Sequence, residues 1–201
     1  MTDTDLMSEE ISDLLYKHFD SDGELIDDFE DVLYCEDEEI DYSKVSGLIK
    51  LLRPIYKADD ALIPLEAAKL LSAWGIDEGL DFLEVCVDRR IDKIANLSPH
   101  RLHGYDVTYE EFEEAIANYY VRKADRSLKD ADEASRKIES ITKKILILSE
   151  ELTFDISILI ELISRKNWQN YKDLIREVLG KIDKNSYNYD IIDKLLKSWK
   201  N

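Results

Sequence analysis

Apolar residues recur at helical spacing along most of the chain. Leu6, Met7, Ile11, Leu14, Leu15 and His18 share one side of a 3.6-residue repeat, with Asp3, Glu9, Glu10 and Asp13 off it. This predicts an amphipathic first helix ending near Asp20. Ser21, Asp22 and Gly23 read as a turn, and Leu25, Ile26, Phe29, Val32 and Leu33 mark a second helix. The acidic run Glu36, Asp37, Glu38, Glu39 follows as an exposed loop. Acids close behind a helix C-terminus oppose its dipole, so packing alone gives no reason for them there. Val45, Leu48, Ile49 and Leu52 make a third helix, bounded by Pro54.

The most regular unit spans residues 61–90. Pro64 suits the first turn of a helix through Ala67, Ala68, Leu70, Leu71 and Trp74, Gly75 fits a left-handed C-terminal cap, and Asp77 is placed to cap the next helix. Leu80, Leu83, Cys86 and Val87 face inward from that helix, giving an αα-hairpin in which Ala67, Ala68 and Ala73 allow close approach. A second unit of similar pattern spans 154–182, with Ile156, Leu159, Ile160 and Ile163 on one helix and Leu174, Ile175, Val178 and Leu179 on the next. The units lie about ninety residues apart, so no strict tandem period exists.

Between them, residues 98–106 form a loop containing His100, His103 and Tyr105. A helix then begins at Thr108 as N-cap, with Glu111 completing a capping box and Tyr109, Phe112, Ile116, Tyr119 and Tyr120 along its length. Residues 122–137 carry both charges and few large apolar groups, reading as a solvated helix or a linker. A long helix over 134–152 resumes the stripe with Ile138, Ile141, Ile145 and Leu148, and a last helix over 189–199 caps the array.

The expected fold class is all-α, an irregular array of antiparallel helix pairs in one domain. Its parts are acidic N-terminal helices (1–42), a first half (43–127) and a second half (128–201). Six Gly and three Pro in 201 residues leave little for hairpin turns, and 44% hydrophobic content suffices for a core.

Charge changes the picture. Residues 1–42 hold 17 of the 45 acids and one of the 27 bases, Lys17, leaving 28 acids against 26 bases in the other 159 residues. Almost all of the net −18 therefore sits at one end. Such a charge favours a basic partner and fast association, and disfavours nucleic acid and anionic membranes. The first ten residues carry acids where a secretory leader carries bases, and no apolar run is long enough to span a bilayer, so the expected location is the cytoplasm.

Reactive chemistry is sparse. Cys35 and Cys86 lie in apolar helical contexts without a CxxC pair, as reduced thiols would. His18 to Glu24 imitates a calcium loop, but aligning Gly23 puts His18 at the first ligand position and Phe29 at the twelfth, where a carboxylate is needed. His100, His103 and Asp106 are too few for zinc and read as loop residues, with histidine stacked on Tyr105. No nucleophile motif or phosphate-binding glycine loop is present, so neither an enzyme nor a cofactor is expected.

The run PLEAAKLLSAWGIDEGLDFLEVCVDRR resembles a HEAT-type repeat. Together with PHRLHGYDVTYEEFEEAIANYY and the acidic character, the chain resembles immunity proteins of contact-dependent growth inhibition and other bacterial polymorphic toxin systems. That resemblance implies a cognate antitoxin that blocks one toxin domain, in many such systems a basic nuclease, without chemistry; the sequence does not fix its oligomeric state, and a monomer is the expectation. Tyrosine beside acid is interface chemistry, since the ring anchors while carboxylates pair with Lys or Arg. The candidate contact face is Tyr34, Glu36, Asp37, Glu38, Glu39, Asp41 and Tyr42, and a second is Glu110, Glu111 and Glu114. A HEAT-like scaffold binding a helix or peptide is the competing reading. It requires an exposed apolar groove, whereas an immunity protein requires a charged patch rimmed with Tyr. A HEAT-like DNA glycosylase would need a basic concave surface, which the dense acids contradict.

Overall fold

A computed structural model describes residues 8–20, 22–26, 29–94, 96–100, 102 and 104–199. Asp3, Leu6 and Met7 of the expected first helix, Ser21 of its turn and His103 of the loop lie outside them. Among the described residues the fold is all-α apart from one two-stranded ribbon and an isolated bridge between Pro99 and Asp106. The helices are α1 (Glu9–Tyr16), α2 (Phe29–Tyr34), α3 (Val45–Leu51), α4 (Leu62–Ala73), α5 (Asp77–Asp88), α6 (Thr108–Arg126), α7 (Leu128–Lys137), α8 (Glu139–Leu148), α9 (Ser157–Arg165), α10 (Lys172–Leu179) and α11 (Tyr187–Ser198).

Helix α4 organises the molecule because it is apolar on both sides. Ala67, Leu70, Leu71 and the fully buried Trp74 close one core with Leu15, Val32, Cys35, Ile40, Leu48 and Leu51. Ala61, Leu65 and Ala68 look into the other core, which continues through α5, α6 and α8 to α11. A helix apolar all round belongs between two layers. One layer, residues 8–51, carries the concentrated acid, and the other is the body.

Helices α4 and α5 form the expected αα-hairpin. Gly75 sits at φ +74° and donates to the Ser72 carbonyl at 2.9 Å, while Ile76 donates to Leu71 at 2.8 Å, so the paired bonds close the helix end. Gly79 is the point of closest approach, because a Cβ there would lie 2.6 Å from the Ala68 carbonyl oxygen and 2.7 Å from the Ser72 nitrogen. Asp77 does not cap α5. Its carboxylate instead accepts from the Tyr119 hydroxyl at 2.7 Å and pairs with Lys123 at 3.3 Å, tying the hairpin to α6.

Other boundaries differ from the periodic reading. Helix α1 stops at Tyr16, and His18–Phe19 pairs with Leu25–Ile26 as an antiparallel hairpin, β1 and β2, so Leu25 and Ile26 precede the second helix. Two contacts impose this. His18 is buried edge-on against Trp74, donating from Nε2 to the Leu15 carbonyl at 3.0 Å, and Asp20 Oδ1 accepts from the Asp22 and Glu24 amides at 2.9 Å each. A short carboxylate that captures nearby amides makes a turn of what periodicity would continue as helix.

Thr108 and Glu111 form no capping box. Asp106 Oδ1 accepts from the Thr108 amide at 2.9 Å and from its hydroxyl at 2.5 Å. The segment 122–137 is the end of α6 and all of α7, capped by the Ser127 hydroxyl accepting from the Asp130 amide at 3.0 Å, so it is no linker. The expected helix over 134–152 begins earlier, at Leu128, and bends at Ile138, where hydrogen bonds from Ile138 to Ala134 and from Thr142 to Ile138 persist. In the second unit, α9 packs chiefly on α6 and α11, and α10 on α11 and α8, so α9 and α10 do not form the tight pair the pattern suggested.

Candidate protein-binding face

The acidic loop is pinned at both ends by apolar plugs. Cys35 and Ile40 are buried in the N-terminal core, and a 3-10 turn, Asp37–Glu39, spans the gap between them. Glu39 Oε2 accepts from the Glu36 amide at 2.9 Å, tightening the turn. Asp41 Oδ1 accepts from the Ser43 amide at 3.1 Å and starts the next short helix, Tyr42–Lys44. With the plugs inward, Tyr34, Glu36, Glu38, Asp41 and Tyr42 stand outward, Tyr34 at 60% exposure and Tyr42 at 47%.

Two arginines from the last turns of α6 supply the reason for acid here. Arg126 donates to Asp37 Oδ1 from Nη2 at 2.5 Å and from Nε at 3.1 Å, and Nη2 also reaches the Tyr42 hydroxyl at 2.7 Å. Arg122 donates to the Cys35 carbonyl and, from Nε, to the Ala73 carbonyl at 3.1 Å, with Nη1 3.9 Å from Asp37. The Arg126 guanidinium against it holds the Asp37 carboxyl below the usual carboxylate range. Packing, which gave no account of this run in the sequence, thus requires Asp37. Arg122 and Arg126 escaped the sequence reading, although their spacing of four places them on one helix face.

The second acidic set is divided by the fold. Glu110 Oε1 accepts from the Asp155 amide at 2.8 Å, just before α9. Glu111 pairs with Lys69 at 3.0 Å and accepts from the Ser98 hydroxyl. Glu114 is the exposed member. Between them, Glu113 is fully buried, with Oε2 accepting from the Leu159 amide at 3.4 Å in the first turn of α9 and Oε1 without a partner. Burial pushes its carboxyl well above the ordinary value, and Asp155, Glu110 and Glu114 push the same way.

Among the described residues no group of three His, Cys, Asp or Glu is placed to hold a metal ion, and no helix is long and apolar enough to cross a membrane. His100 stacks on Tyr105 at 4.8 Å. Cys35 and Cys86 are free thiols in separate cores, and burial pushes Cys86 up to about 12. Such thiols are poor nucleophiles at neutral pH. The chain matches no family model, no curated protein and no solved structure.

Proposed function

We propose that this protein is a cognate inhibitor of a basic protein domain, of the immunity-protein kind that its sequence resembles, acting by occupying the partner's functional surface. The observation that carries the reading is the clamped acidic turn: Glu36, Glu38 and Asp41 project from a segment whose neighbour Asp37 is fixed by Arg126, with Tyr34 and Tyr42 beside them. A face already ordered loses little conformational freedom on binding. Its carboxylates steer a cationic partner, and the exposed tyrosines supply contact area that governs dissociation.

The test is co-expression with the protein encoded beside this chain, followed, where a complex forms, by association kinetics at low and moderate salt. The Glu36→Lys/Glu38→Lys double variant is expected to associate about tenfold more slowly at low salt, with a flatter salt dependence and a melt close to wild type. No complex, or unaltered kinetics in the variant, refutes the reading.

A further inference from the structure

A cavity of about 120 Å³ lies between the segment leaving α2 and one face of α6. Tyr34 and Glu36 line it from one side, and Asn118, Val121 and Asp125 from the other. Positions 118, 121 and 125 follow the three-and-four spacing that puts them on one face of a helix. A cavity of about 150 Å³ accepts a benzene ring, so this one takes a single side chain and no larger element. Arg122 fixes its walls, because the guanidinium donates to the Cys35 and Ala73 carbonyls and so ties the ends of α2 and α4 to α6.

The lining holds two carboxylates, Glu36 and Asp125, against that one guanidinium. At 12% exposure, with two carbonyls bound and Asp37 3.9 Å away, Arg122 has little left to offer a ligand. The neighbouring cations of α6 are also engaged, Lys123 with Asp77 and Arg126 with Asp37. Asp125, by contrast, is exposed and has no hydrogen bond or ion pair among the described residues, and the half-buried Asn118 amide has none either. Tyr34 and Val121, each about half exposed, give the cavity an apolar side. An apolar occupant would strand the acceptors, and an acidic one would meet Glu36 and Asp125 with like charge. A long apolar stem with a cationic tip matches both sides.

We propose that this cavity receives one Lys or Arg side chain of the partner, its stem against Tyr34 and Val121 and its cationic head among Glu36, Asp125 and the Asn118 amide oxygen. The proposal rests on the inhibitor reading and deepens it, since the partner's basic surface is then held by one inserted side chain as well as by diffuse attraction. It also extends the contact face from the acidic turn onto α6.

Wild-type protein is panned against a random dodecapeptide display library with Val121→Trp protein in solution as competitor, and enriched peptides are titrated by fluorescence polarisation. The expected peptides share one Lys or Arg whose replacement by norleucine weakens binding about tenfold or more. Val121→Trp, which fills the cavity at constant charge, should weaken them as much, and Asp125→Asn about threefold. Glu10→Lys, a larger charge change at an exposed acid that does not line the cavity, should weaken them less than about twofold at 0.15 M salt. Val121 is half exposed, so its variant should keep the wild-type melt; Asp125→Asn, at an exposed and unpaired side chain, carries the test should that melt fall. Three results would overturn the proposal: no enrichment over the competitor, enriched peptides that need no basic residue, or equal weakening by Glu10→Lys and Val121→Trp. The complex with the protein encoded beside this chain separates the two readings. Dissociation unaltered by Val121→Trp removes the cavity proposal and leaves the inhibitor reading standing, whereas peptides that behave as expected without any such complex support the cavity and remove the inhibitor reading.

Discussion

The N-terminal layer and the body use the same kind of amphipathic helix but dispose of charge in opposite ways. In the body, cations bridge helices far apart in sequence: Lys69 to Glu111, Lys137 to Asp81, Lys144 to Glu84 and Asp88, and Lys181 to Glu150. Among the described residues of the layer, the long-range ion-pair cluster is Asp37 with Arg122 and Arg126, and the Lys44 ammonium is taken up by the Asp13 and Lys17 carbonyls, not by a carboxylate. Several of the layer's other acids, among them Glu9, Glu10, Asp31, Glu36 and Glu38, are turned to solvent, where they add little to stability. The layer is therefore held mainly by apolar plugs into α4, and much of its charge stays at the surface.

Trp74→Ala should break this comparison most severely. The indole is fully buried, packs on His18 and donates to the Val32 carbonyl at 3.4 Å, so it joins α4 to both the hairpin and α2. Truncation is expected to cost about 3–5 kcal/mol. Hydrogen exchange should show the amides of α1 to α3 losing protection before those of α8 to α11. Uniform loss across both regions would mean that the layer and the body unfold as one unit.

Glu113→Gln tests the converse, an acid that the body leaves unneutralised at its centre. Because the folded carboxyl titrates well above its unfolded value, stability is complete below the ordinary carboxylate range and falls as pH rises toward the folded value. The groups facing it from α6 and from the start of α9, namely Glu110, Glu114 and Asp155, are all acids and deepen the effect. The variant should therefore melt higher than wild type at pH 8, by about 1–3 kcal/mol or roughly 3–10 °C, and close to wild type at pH 4. A variant less stable at both pH values would mean that the Leu159 amide needs a full negative charge.

Legibility in the sequence follows the same divide. The α4–α5 hairpin could be read because its information is local: periodicity, Pro64 in the first turn, and Gly75 where only a left-handed residue closes the helix. The β1–β2 hairpin could not, since it depends on His18 meeting Trp74, 56 residues away, and on Asp20 capturing its own loop. The acidic run was visible as charge, but the sorting of Asp37 into the clamp and Glu38 into solvent needed Arg126, 89 residues away. Glu113 did leave a signal, standing four residues after Tyr109 and three before Ile116 on the apolar stripe of α6. Asp77 shows the limit of capping rules, because a better partner, Tyr119, lay across the packing interface.

The smallest effect is the most specific to the acidic face. Arg126→Ala removes the guanidinium that orders Asp37 and Tyr42 while leaving every apolar plug in place. With Asp37 more than a third exposed, solvent screening limits the stability loss to about 1 kcal/mol near neutral pH. The sign follows from the depressed carboxyl: its contribution is present above the ordinary carboxylate value and disappears as pH falls through the lower folded value. Wild-type and variant melts should thus differ at pH 7 and converge toward pH 3. An equal difference at both would mean that Arg126 acts through packing on Trp74 and not through charge. If the clamp also preorganises the face, the variant's complex with a basic partner should dissociate faster than wild type even though no contacting carboxylate has been removed.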